Sequence, residues 1–189
     1  EPLIKQVAAT LRNGGIIVYP TDTIYGLGCD IYQTKAIEQI CRIKQIDPKK
    51  AQLSFVCCDL SHLSDFARQI SNTTYRVLKE HLPGPYTFIL PASKQVPKIL
   101  QSKKDTIGLR VPDNKITHEL VKELGHPILS TTLPGDFVED YTDPEIIYEK
   151  YKNLVDIVVD GGIGGSEPST IINCVDNAYE GIRMGAGEG

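Results

Sequence analysis

The sequence predicts an α/β fold built on a mixed sheet. Stretches with the apolar pattern of strands alternate with stretches of helical periodicity along most of the 189 residues. Several links between strands, notably from GIGGSEPSTIIN to YEGIRM, are too short to hold a crossover helix, so some strands have to pair antiparallel. No internal repeat and no linker-like stretch divides the chain, and residues 1–189 read as a single domain large enough to bury a substantial core without staples.

The opening EPLIKQVAATLRNGG spaces Leu3, Ile4, Val7, Ala8 and Leu11 along one helical face, and Asn13-Gly14-Gly15 breaks it. Ile16 to Tyr19 follow as a short buried strand. Pro20, the threonines and Asp22 then form a polar turn, with Gly26 and Gly28 allowing close backbone approach. Thr34 to Lys44 sets Ala36, Ile37, Ile40, Cys41 and Ile43 on an apolar face, with Thr34 as its cap. LSFVCC is a strand. SHLSDFA and TTYRVLKEHL are helices that close on Pro83-Gly84-Pro85. YTFIL and TIGLRV are strands on either side of a segment carrying Lys103-Lys104. A helix from Ile116 to Leu124 stops at Gly125, and HPILST runs as a strand into small hydroxyl residues. After the acidic, turn-rich LPGDFVEDYTDP comes a helix from Pro144 to Tyr151, proline being acceptable in its first turn. LVDIVVD, the loop DGGIGG, the strand STIINCV and YEGIRMGAG complete the chain.

With 20 basic and 24 acidic residues the net charge is −4, which argues against a protein that coats nucleic acid nonspecifically. The five cysteines are odd in number and sit in or near apolar stretches, as reduced cytosolic thiols do; Cys57 and Cys58, adjacent on a strand, point to opposite faces. No CxxC or HxxxH pair suggests a metal site. The amino-terminal helix lacks a signal peptide's apolar core, and no run is long enough to cross a bilayer, so the expectation is a cytoplasmic protein. His62, His81, His118 and His126 have no acidic and nucleophilic neighbours in sequence, and none is assigned a catalytic role.

Polar groups gather where strands end. Thr21 and Thr23 follow the first strand, Arg110 ends TIGLR, Ser130, Thr131 and Thr132 end HPILSTT, Ser169 and Thr170 open STIIN, and Arg183 ends the last. In open α/β sheets ligands bind at strand ends, where hydroxyls and arginines fix carboxylates and phosphates. Singly, each has an ordinary structural reading: a threonine in a turn, an arginine in a surface ion pair. GGIGG lacks the spacing of a dinucleotide or P-loop motif and reads as a plain loop. Together they point to a small-anion or nucleotide pocket.

Five stretches in order resemble motifs of the YrdC-like domain family, the threonylcarbamoyl-AMP synthases. YPTDTIYGLG is similar to PTETVYGLG, PGPYTFIL to PGPLTLIL, RVPDN to RVPDH, PSTIIN to PSTIVD, and RMGAG to RPGAI. The resemblance implies a twisted mixed sheet with a concave, positively lined cavity. It implies a nucleotidyltransferase-like activity that joins ATP, L-threonine and bicarbonate into threonylcarbamoyl-AMP, with Mg2+, for the t6A modification of tRNA. By motif, Thr23 and Arg110 would hold threonine with Ser169 beside them. Thr106 and Arg183 would contact ATP, Lys44 would neutralise phosphate charge, and Ser130 and Thr132 would line the same site.

The departures are selective. Where the family has KGRP this chain has KQID, with Ile46 in place of the arginine; NPLSVHV becomes AQLSFVC, with Ala51 and Val56 in place of the asparagine and histidine; STSAN becomes STTLP, with Thr132 and Pro134 in place of serine and asparagine. Each lost electrostatic contact costs the reaction ~2–4 kcal/mol. The pattern most resembles the YciO-like branch. It implies a cavity that handles an adenylate with synthesis impaired and hydrolysis as the other direction. The alternative is a module binding tRNA or double-stranded RNA through Lys44, Lys49, Lys50, Lys103 and Lys104. A third reading is a carboxylate-binding regulator without chemistry.

Overall fold

A computed structural model describes residues 2–48, 53–100, 105–175 and 179–187. The first helix, α1, spans Pro2–Arg12, and β1 (Ile17–Tyr19) follows the glycine break. The next strand, β2, is Gly26–Asp30. Then come α2 (Thr34–Lys44), β3 (Ser54–Val56), α3 (Leu63–Phe66) and α4 (Asn72–His81). The central strands β4 (Tyr86–Pro91) and β5 (Thr106–Arg110) precede α5 (Lys115–Leu124) and β6 (Ile128–Thr132). The chain continues through α6 (Glu139–Thr142), α7 (Pro144–Tyr151), β7 (Ile157–Val158), β8 (Thr170–Asn173) and β9 (Glu180–Arg183).

The described strands form one sheet in the order β7-β1-β2-β6-β3-β5-β4-β8-β9. Pairs β1–β7, β3–β5 and β4–β8 are parallel, and the others antiparallel, including the short β8–β9 hairpin. The sheet is mixed, as expected. Two strands and a helix were not foreseen in this form. Gly26–Asp30 is a fully buried strand although glycine is a poor strand former. LVDIVVD contributes only two residues of strand, and the acidic LPGDFVEDYTDP contains α6. Thr34 is the first helical residue of α2 rather than its cap. Gln33 holds the cap position and makes no side-chain cap bond. Asn114 and Ser71 do cap, accepting from the Thr117 and Thr74 amides.

Strand registers sort the side chains onto two faces. On one, Val18, Leu27, Leu129, Phe55, Leu109, Phe88 and Leu90 form the main core with Ile37 and Ile40 of α2, Leu78 of α4 and Ile147 of α7. On the other, Ile17, Tyr19, Val56 and Ile128 pack beneath α1 and α5 against Leu11, Leu120 and Leu124. Each such side chain, fully buried, is worth about 1.5–3 kcal/mol relative to exposure. The cysteines obey the same partition: Cys57 joins the main core and Cys58 packs against the second cluster. All five are free thiols. The α1/α5 layer covers only part of the second face, and the uncovered remainder carries the polar residues.

Candidate functional site

Beyond that layer the face continues through Ser54, paired with both Gly108 and Ser130, then Ile89 opposite Gly108, Thr87 opposite Ile171, and Ile171 opposite Arg183. These residues line a cavity of about 270 Å³ together with Lys44, Ile46, Leu53, Arg110, Thr131, Thr132 and Ser169. Three of the lining residues are cationic and none is acidic. Apart from Gly108, the remainder divide into hydroxyls and an aliphatic patch of Ile46, Leu53, Ile89 and Ile171.

Arg110 anchors the inner end. Its side chain is 5% exposed, and its Nη2 donates to Thr23 Oγ1 at 2.9 Å and to Asp22 Oδ1 at 3.5 Å. Its Nε is buried with no hydrogen-bond partner. The turn that positions Thr23 and Asp22 is locked from several sides. Thr21 Oγ1 accepts from the Thr23 amide and donates to the Ile24 carbonyl, and Asp22 accepts from the Asp113 amide at 2.8 Å. Asn114 donates to the Thr21 carbonyl and Thr117 to that of Pro20. The RVPDN segment therefore holds the PTDT segment. The glycine-rich loop closes the other side, with the Gly165 amide donating to the Thr23 carbonyl and Tyr25 Oη donating to the Gly162 carbonyl. Both contacts tie the loop to the PTDTIY segment, and it contributes no residue to the cavity lining. Burial pushes the Asp22 carboxyl up, against the opposing Asp113 amide and Arg110 guanidinium.

The outer wall is built by Arg183. Its Nε and Nη2 donate to the Ser169 carbonyl at 3.0 and 2.8 Å, and Nη2 also reaches Ser169 Oγ at 3.1 Å. Ser169 Oγ lies 2.7 Å from Thr87 Oγ1. Burial, and then the neighbouring Arg110 charge, push the Arg183 guanidinium down. A guanidinium depressed by burial and by a neighbouring cation at a hollow favours an anion there.

Lys44, in the last turn of α2, donates from Nζ to the Thr132 carbonyl at 2.8 Å. Burial pushes its ammonium below the ordinary lysine range. For a cation depressed in this way, stability rises with pH between the folded and the ordinary value, because the unfolded chain binds more protons there. The charge available to a ligand is lost over the same rise. Anion affinity is therefore expected to fall on the alkaline side before exposed lysines titrate, and Lys44→Met should remove that limb from a pH series of dissociation constants.

Of the eight residues the sequence singled out for the pocket, Lys44, Arg110, Ser130, Thr132, Ser169 and Arg183 line one cavity. Thr23 sits behind it, 1% exposed, and orients Arg110. Thr106 shares the face of Gly108 and Arg110 but starts β5, opposite Pro91, outside the lining set. Ile46 lines the cavity with an aliphatic side chain. Val56 is buried opposite Arg110 in the second core. Lys49, Lys50, Lys103, Lys104 and Ala51 lie outside the described residues. The sequence reading missed Tyr19, Ser54, Thr87 and Gly108 as parts of the site and its support. Period-two alternation with Ser130 and Arg110 would have found the last three had the strand pairing been known. His126 has an acidic partner after all, its Nε2 lying 2.7 Å from Oδ1 of Asp30, a residue remote in sequence. No group of three or more metal-ligating side chains occurs among the described residues, and no described helix is long and apolar enough to cross a membrane.

Comparisons with known proteins converge on one family. The Sua5/YciO/YrdC family model, described as telomere recombination, matches residues 9–185. YciO of Escherichia coli (strain K12) is 44% identical over 192 residues, covering 100% of this chain and 91% of the relative. The threonylcarbamoyl-AMP synthase of Idiomarina loihiensis is 33% identical over 167 residues, covering 86% of this chain and 89% of that enzyme. The crystal structure of E. coli YciO matches with a TM-score of 0.91 at 42% identity, over 99% of this chain and 91% of its own. P. abyssi Sua5 complexed with L-threonine matches with a TM-score of 0.79 at 26% identity, over 90% of this chain and 50% of its own.

Proposed function

Because the chain belongs to the Sua5/YciO/YrdC family, we propose that its cavity binds an adenylate of the threonylcarbamoyl-AMP kind and turns it over by hydrolysis, with synthesis from ATP, L-threonine and bicarbonate largely lost. The observation that carries this reading is the convergence of Lys44, Arg110 and Arg183 on one hydroxyl-rich hollow without a carboxylate in its lining. In this reading Arg110 and Ser169 hold the carboxylate of the threonyl part, Arg110 Nε gaining the acceptor it lacks in the free protein. Arg183 and Lys44 face the phosphate, while Thr106, outside the lining, would reach a nucleotide only if it extended beyond the hollow along β5. Recognition of L-threonine is supported by the complex of P. abyssi Sua5 with that amino acid. Magnesium would arrive with ATP, held by phosphate oxygens, since the lining offers hydroxyls and cations but no carboxylate to hold it.

Synthesis is set apart from binding by two side chains. Ile46 supplies no charge to a triphosphate, and Val56 places an isopropyl group opposite Arg110 where the family motif has an imidazole. At ~2–4 kcal/mol for each lost electrostatic contact, the two together lower the condensation rate by about a thousandfold or more. The RNA-binding alternative draws no comparable support. Lys44, the one described lysine of that set, directs its amine to the Thr132 carbonyl inside the cavity.

The test is to incubate the protein with threonylcarbamoyl-AMP and, separately, with MgATP, L-threonine and bicarbonate. Release of AMP from the preformed adenylate above the blank, with condensation far below that of a synthase run in parallel, is the expected result. Efficient condensation, or an adenylate neither bound nor consumed, overturns the reading.

A further inference from the structure

Ser130 is a lining hydroxyl that accepts a hydrogen bond from a buried side chain of the sheet. Tyr19 lies at the end of β1, fully buried, and its Oη is 2.6 Å from Ser130 Oγ. A serine hydroxyl has one proton to give and two lone pairs to accept with. In this pair the Tyr19 hydroxyl donates to Ser130 Oγ, and burial pushes the phenol up to about 12, so it keeps its proton well past neutral pH. One Ser130 lone pair is thereby occupied, while its own proton has no acceptor among the described residues.

The strand between them is shaped for this contact. Tyr19 pairs with Gly26, and its ring runs across both glycines of β2. A Cβ at Gly26 would stand 3.0 Å from Ser130 Oγ and 3.1 Å from Tyr19 Cε1; one at Gly28 would stand 2.9 Å from Tyr19 Cε1 and 2.8 Å from Ile128 Cγ2. The glycines of the YGLG motif therefore open a slot for a protein side chain rather than for a ligand. The phenol runs across β2 on the face that also bears the cavity and meets Ser130 from the side packed by α1 and α5.

We propose that Tyr19 is a positioning residue that fixes the Ser130 hydroxyl so that its proton is offered to an anionic acceptor in the cavity. Tyr19 donates to Ser130, Ser130 donates to the ligand, and the two bonds polarise in the same sense, strengthening the second. With one lone pair filled by Tyr19, the Ser130 proton is left for a ligand oxygen that accepts, such as a phosphate or carboxylate oxygen. This rests on the adenylate reading for the identity of the ligand, but its chemistry needs only an anion.

The experiment measures dissociation constants of ATP and of inorganic pyrophosphate for wild type, Tyr19→Phe, Ser130→Ala and the double variant, with thermal melting of each. Tyr19→Phe keeps the ring in its slot and removes only the phenolic oxygen. It should weaken pyrophosphate about five- to tenfold, as misdirecting one charge-assisted bond from Ser130 does, and should add nothing in the Ser130→Ala background. Equal affinity in wild type and Tyr19→Phe, even with a lowered melting temperature, makes the tyrosine merely structural and overturns the proposal. A Tyr19→Phe loss that persists undiminished in Ser130→Ala overturns it too. Pyrophosphate bound with the expected pattern but ATP not bound retains the positioning role and removes the adenylate reading. Binding of neither probe removes both.

Discussion

Replacing Arg110 by methionine is expected to lower adenylate affinity by about 100-fold or more and to destabilise the protein by about 3 kcal/mol at neutral pH. Methionine fills the space but takes away the donor to Thr23 and the charge beside Asp22, whose side chain is 10% exposed. The Asp113 amide remains, and Asp22, already pushed up by burial, moves further in that direction. A carboxyl whose folded value is raised stabilises the fold below its ordinary range and loses that contribution as pH rises. The stability deficit should therefore shrink as the pH falls toward about 4, the ordinary carboxylate range. Thermal melts across that window check it, and a deficit independent of pH would mean that Asp22 is not the partner that matters. Adding Asp22→Asn should restore most of the stability and none of the binding, which separates the two roles of the guanidinium.

Gly185→Ala is expected to detach the carboxy-terminal segment from the cavity wall. A Cβ there would lie 2.1 Å from the Pro168 carbonyl oxygen and 2.8 Å from that of Ser169, both backbone atoms with no freedom to rotate away. The segment is held by the Ala186 amide on the Pro168 carbonyl, the Gly185 amide on Thr170 Oγ1, and Thr170 Oγ1 on the Gly187 carbonyl. Overpacking of this kind costs about 2–3 kcal/mol, enough to break these bonds. Because Arg183 is fixed through Ser169 two residues from the clash, anion affinity should fall roughly tenfold with it, as for loss of a well-placed charge. Hydrogen exchange at the Ala186 amide reads the detachment, and titration with pyrophosphate reads the affinity. Unchanged values for both would show that Arg183 is held without this segment.

Much of the framework was legible in the chain. Elements with a strong period of their own were found nearly to the residue: Thr34–Lys44 and Pro144–Tyr151 as helices, Tyr86–Pro91 and Thr106–Arg110 as strands. Gly26–Asp30 was not, because a strand with two glycines has no local preference to display; it is extended because β1 and β6 pair with it on both sides and the Tyr19 ring needs the missing Cβ atoms. Six of the eight residues grouped from the sequence line one cavity, since strand ends on one face of a sheet converge. Their support was hidden. Thr23 reads as a ligand contact in a motif, whereas its hydroxyl holds Arg110; Tyr19 reads as ordinary core, whereas its phenol reaches across β2. Both relations join residues about ninety or more positions apart, which spacing along one chain cannot reveal.

A calorimetric titration of threonylcarbamoyl-AMP into wild type, Lys44→Met, Arg183→Met and Arg76→Met decides whether a single cationic hollow is the site. Arg76, on the exposed side of α4, carries the same charge away from the cavity. One molecule bound per chain, weakened tenfold or more by either cavity substitution and unaffected by Arg76→Met, is the expected outcome. Losses of equal size from all three variants, or binding indifferent to Lys44 and Arg183, would place the ligand elsewhere.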